Sequence, residues 1–152
     1  MNVRQFALAL GVVFILVGIL GFVPGVNQMH HGADPDLKVT DPGHGMLLGL
    51  FHVNVLHNAV HLLFGVLGIA MSRTFTNARL YAQIVAIAYG LLVVLGLIPA
   101  TRYVFGLIPI EGWDVALHAL IALVAAYFGF VAPYVDEANM TTDRTNSAGT
   151  AR

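Results

Sequence analysis

Three histidines and two asparagines interrupt one of the most apolar stretches of the chain, FHVNVLHNAVHLL, at His52, Asn54, His57, Asn58 and His61. His57 and His61 are four residues apart, the spacing that puts two side chains on one face of a helix. A second apolar stretch, WDVALHALIALVAAYFG, repeats that spacing with Asp114 and His118. Imidazole and carboxylate bind zinc and other divalent ions, so His57, His61, His118 and Asp114 form a candidate metal set. His57 or His61 opposite His118 could instead hold a b-type haem between two imidazoles. The same groups could relay protons, although no Glu or Lys accompanies them within these stretches. A plainer reading gives Asn54, His57, Asn58, His61, Asp114 and His118 a structural task, a network of hydrogen bonds that sets register between packed helices.

If the whole first stretch is helical, each residue turns by about 100° from the one before it. Asn54, His57, Asn58 and His61 then share one stripe roughly 100° wide, and His52 points the opposite way, toward an interface. Gly65, Gly68 and Ser72 continue the stripe. On the second stretch, Ala122, Ala125 and Gly129 extend a small-residue side beyond Asp114 and His118. The two polar groups are expected to face each other.

The segment NQMHHGADPDLKVTDPGHG adds His30, His31 and His44 with Asp34, Asp36 and Asp41. Its Asp-Pro and Pro-Gly pairs are turn formers, so a hydrated loop is the first reading and a weak surface metal site the second.

The elements that must position these groups follow from composition. Of 152 residues, 58% are hydrophobic and 10% charged, and the mean hydropathy is +0.80. Such values are abnormal for a water-soluble globule. Seven Lys and Arg against eight Asp and Glu leave no basic field for a nucleic-acid backbone, so nucleic acid is not an expected partner. The absence of cysteine removes disulfides, thiolate catalysis and Cys-type metal sites.

A bilayer core of roughly 30 Å takes about 20 apolar residues per helix. Four such runs occur, at about 5–23, 45–71, 80–98 and 113–134. They are too long and too rich in Leu and Ala for barrel strands. The first could pass for a signal peptide, but its apolar core is long and no A-x-A-like site follows, so it is expected to remain as a span. Pro24, Pro35, Pro42, Pro99 and Pro133 fall near span ends or in loops. Trp113, Tyr103 and Tyr134 sit where interfacial anchors belong. Gly11, Gly18 and Gly21 read as packing positions. Arg4, Arg73, Arg79, Arg144 and Arg152 outnumber Lys38 and Arg102, which places both termini in the cytoplasm and the first and third loops outside. The polar tail 135–152 is expected to be disordered.

The run GLFHVNVLHNAVHLLFGVLGIA, with WDVALHALIALVAAYFGF and the four spans, resembles a bacterial membrane family designated domain of unknown function 4383. The likeness covers nearly everything up to Pro133. It centres on Phe51, His52, Asn54, His57, Asn58 and His61, with Trp113, Asp114 and His118 as a second patch. It implies a small four-span architecture and brings no activity, substrate or ligand. The plan is also similar to DoxX-like bundles by fold analogy, which assigns no function.

The expectation is therefore an all-α integral membrane four-helix bundle in a bacterial cytoplasmic membrane, accessory or structural, with no catalytic residue assigned. Its His/Asn/Asp cluster would link spans two and four in the outer half. Metal or haem binding is the alternative, and a small oligomeric transporter or proton-conducting unit a further one. Partners would be the bilayer, further copies or another membrane protein.

Overall fold

The computed structural model describes residues 1–29, 38 and 43–133. Helix α1 spans Val3–Leu20, α2 Val55–Met71, α3 Phe75–Leu97 and α4 Trp113–Ala126, the last continuing as a π-helical turn through Tyr127–Val131. Between α1 and α2 lie three short strands, β1 Asn27–Met29, β2 Gly45–Leu47 and β3 Phe51–Val53, paired antiparallel in the order β1-β2-β3. The helices α1, α3 and α4 with its π turn are long and apolar enough to cross a membrane, whereas α2 has 17 residues. Exposed Leu16, Leu63, Ile87, Leu91, Leu120 and Leu123 give the outside of the fold the apolar character of a membrane protein.

Helices α1, α2 and α3 begin where their sequences supply caps. Asn2 and Gln5 form a reciprocal capping box on α1, Asn54 caps α2 through the His57 N–H, and Thr74 caps α3 through the Asn77 N–H. Helices α1 and α2 form one antiparallel pair, and α3 and α4 a second. The first pair is close because glycine faces glycine. A Cβ on Gly65 would lie 2.8 Å from Ile15 N and 2.9 Å from Gly11 O, and one on Gly11 would lie 2.8 Å from Ile69 N. Gly11, Gly18, Gly65 and Gly68 are thus used inside the fold. Gly129 plays the same part against Ala82 and Gln83 of α3. The pairs meet across Phe6, Phe14, Tyr81, Val85, Tyr89 and Phe128, all buried.

Two expectations are corrected here. The run 45–71 is not one helix, because residues 45–53 form a hairpin and the helix starts only at Val55. Leu48 and Gly49 both have positive φ, 55° and 70°, and the Leu50 N–H donates to Leu47 O at 3.1 Å. That is the backbone of a type I′ turn. Glycine adopts it freely, but leucine there is unusual, and the apolar run MLLGLF reads as helix by hydropathy alone. His52 consequently lies on β3, paired with Met46, and not on the back of a helix. The segment that includes His30, His31, Asp34, Asp36 and Asp41, together with Tyr134 and the tail, lies outside the described residues.

Candidate functional site

Five rings close on one another at the centre of the four helices. His61 packs edge-on to Phe14 of α1 with centroids 5.4 Å apart, and stacks on His57 at 4.7 Å. His57 faces His118 of α4 at 6.1 Å, His118 stacks on Tyr89 of α3 at 4.8 Å, and Tyr89 stacks on Phe14 at 5.4 Å. Every helix contributes to this ring, and all five residues are buried.

The imidazoles are oriented by backbone carbonyls. His57 Nδ1 lies 3.1 Å from His52 O, His61 Nδ1 lies 3.1 Å from His57 O, and His118 Nδ1 lies 2.6 Å from Asp114 O. A carbonyl oxygen only accepts, so each Nδ1 is the protonated donor, and in the neutral ring Nε2 is left as an acceptor. The His118–Asp114 spacing therefore serves a backbone contact and not an imidazole–carboxylate pair. For His57, Nε2 is buried without a hydrogen-bond partner among the described residues.

The other polar residues of the stripe go elsewhere. Asn54, the α2 N-cap, also donates from Nδ2 to Leu107 O at 2.6 Å. Asn58 is turned toward α1, where the missing Cβ of Gly21 makes room for its amide. Both amide atoms of Asn58 are buried and have no partner among the described residues. Asp114 lies in the first turn of α4 and is buried. Its carboxyl group accepts from the backbone of His52, while Oδ2 has no partner among the described residues. The stripe drawn from helical angles thus divides three ways, because His52 and Asn54 precede the first helical turn. Only His57 and His61 face His118.

Above the ring, the polar groups of the strands and the 98–112 connection meet. His52 Nδ1 is 2.9 Å from Glu111 Oε1, which also accepts from Tyr103 Oη at 3.2 Å. Arg102 Nη1 is 3.4 Å from Glu111 Oε2. His44 is buried with its ring 6.0 Å from that of His52, so it belongs to this group. Asn27, also buried, donates from Nδ2 to Gly21 O at 2.9 Å and Gly43 O at 3.0 Å. Sequence reasoning missed Glu111, Asn27, Phe14 and Tyr89. The signal for Glu111 was one carboxylate in an apolar loop, three residues before Asp114; for the two aromatics, a hydrophobic residue among many gives none.

Among the described residues no group of three or more His, Asp or Glu side chains is arranged to hold a metal ion. The planes of His57 and His61 are only 26° apart across a stacking distance. Lone pairs lying in those planes do not readily meet at one tetrahedral centre.

No curated protein and no solved structure matches the chain. A family profile described as "Domain of unknown function (DUF4383)" matches residues 4–131. That match covers most of the chain and, but for Val3 at the start of α1, all the helices and strands described above, so the protein belongs to the DUF4383 family.

Proposed function

We propose that the protein is a four-span protein of a bacterial cytoplasmic membrane, with both termini in the cytoplasm, and that it serves as an accessory or structural membrane component without turnover of its own. The carrying observation is the closed ring of Phe14, His61, His57, His118 and Tyr89, which draws on all four helices. Helix α2 touches α3 far less than it touches α1. The ring, the Asn54–Leu107 bond and the His52–Glu111 contact tie the α1/α2 pair to the α3/α4 pair on the outer side. Helix α2 is roughly 25 Å long at 1.5 Å per residue, and the β2–β3 hairpin at its outer end completes the crossing of the bilayer. The cytoplasmic side is assigned by Arg4, Arg73 and Arg79.

Two measurements test this reading. The chain has no cysteine, so single cysteines at Lys38 and Arg79 report topology cleanly. Position 38 should label from outside intact cells and position 79 only after permeabilisation; labelling of 79 from outside reverses the topology. His57→Ala should lower the melting temperature in mild detergent, and an unaltered melting curve would remove the structural role.

A further inference from the structure

Helices α2 and α3 make few direct contacts, and where they part they leave a cleft of about 260 Å³. Val60 and Phe64 of α2, Ala88 and Leu91 of α3, and Ile108 and Ile110 of the connection before α4 line it. The buried rings of Tyr89 and the three histidines complete the wall, yet almost all of the lining surface is hydrocarbon. Leu91 is 57% exposed and lies one turn from Ile87, which is 66% exposed, so the cleft is continuous with the lipid-facing surface of α3. Helix α2 starts and α3 ends on the outer side in the orientation proposed above, which puts the cleft in the outer half of the bilayer.

These walls select the occupant. Water needs two to four polar partners, and this lining offers it almost nothing but carbon. Left unfilled, the walls forfeit their dispersion contacts, and an apolar cavity of about 150 Å³ already takes up a benzene-sized guest. A helix from a second copy is about 10–12 Å across with its side chains, so it covers such a cleft without filling it. An acyl chain is one methylene wide and can enter. It is also what the bilayer presents at the opening.

We propose that this cleft binds one acyl chain of an outer-leaflet lipid, which enters past Leu91 and lies between the α2 and α3 walls. The chain supplies hydrocarbon contact that the two helices do not make with each other, so the lipid is a packed component of the bundle. The proposal rests on the membrane placement argued above, and goes beyond it in assigning a lipid to one site.

The test uses the full-length protein, deuterated except for the δ methyl groups of isoleucine, in nanodiscs of dioleoylphosphatidylcholine carrying ordinary hydrogen. Ile110 lines the cleft and is 1% exposed, whereas Ile19 on α1 is 50% exposed and reports the general lipid surface. Magnetisation transfer from the acyl methylenes is expected at both methyl groups. Ala88→Phe, which fills the cleft from α3, should lose the transfer at Ile110 and keep it at Ile19; Val60→Phe fills the cleft from α2 and serves equally if Ala88→Phe does not fold. Transfer at Ile19 without transfer at Ile110 would overturn the proposal and leave the membrane placement standing, whereas its absence at both would overturn both. Undiminished transfer at Ile110 in a folded filling variant would also overturn the proposal.

Discussion

The Asn54 side chain works at both ends of its amide: Oδ1 accepts from the His57 N–H at 2.8 Å, and Nδ2 donates to Leu107 O at 2.6 Å. One residue thereby starts α2 and fastens it to the connection that leads into α4. Asn54 is fully buried, so neither bond is replaceable by solvent without rearrangement.

Asn54→Ala is therefore expected to cost about 2–3 kcal/mol, the sum of a lost N-cap and a buried carbonyl left without its donor. Asn54→Ser retains a capping oxygen but is too short to reach Leu107, so its melting temperature should fall between those of the native protein and the alanine variant. Equal melting of Ser and Ala variants would show that the cap contributes nothing.

Metal and haem are expected to be absent from protein expressed with both supplied and purified in mild detergent. The stacked His57 and His61 rings set the ligand geometry against a shared centre. Elemental analysis and a visible spectrum decide this. A near-stoichiometric metal or a Soret band that disappears in His57→Phe would reverse it.

Long apolar runs made α1, α3 and α4 legible, because hydropathy over about 20 residues is a direct signal of lipid-compatible helices. The i,i+4 spacing of His57 and His61 is likewise a local signal, whereas the contact of His57 with His118 is tertiary and no local spacing sets it. The hairpin at Leu48 and Gly49 was not. A turn with leucine at positive φ contradicts local propensity and is stabilised by β1 and β3 on either side, which are tertiary facts. That one turn sets the direction of His52 and brings it to Glu111, a partner that helical spacing does not suggest. Asn58 turned toward α1 because of Gly21, a residue 37 positions earlier in the chain that no spacing rule connects to it.

Two glycines separate packing from propensity. Gly65→Ala puts a Cβ against Ile15 N and Gly11 O, which are backbone atoms that cannot rotate away; a loss of about 1–3 kcal/mol is expected from overpacking. Gly90 lies inside α3, and a Cβ there would meet nothing within 4 Å. Gly90→Ala should leave stability unchanged or raise it by up to about 1 kcal/mol. Thermal unfolding of the two variants checks the contrast, and similar losses in both would remove the close-packing account of the α1/α2 pair.

Arg79 also holds the end of α4. The π turn at Tyr127–Val131 changes the hydrogen-bond ladder there, and α3 supplies donors to it. Arg79 Nε donates to Gly129 O at 2.9 Å, Gln83 Nε2 donates to the same oxygen at 3.0 Å, and Arg79 Nη2 reaches Phe130 O at 3.4 Å. A cation at a helix C-terminus also favours the helix dipole. Arg4 does the same for α2, donating from Nε to Ser72 O at 3.0 Å. Arg79→Met should cost about 1–2 kcal/mol, because Gln83 still covers one carbonyl while the charge-assisted bonds are lost. The double variant with Gln83→Leu should lose more than the two single variants combined, since only then is Gly129 O left without either donor. Arg79→Lys keeps the charge but not the fork that reaches two oxygens, so it should recover part of the loss. Strictly additive losses in this cycle would mean that Arg79 and Gln83 do not share the carbonyl in the membrane.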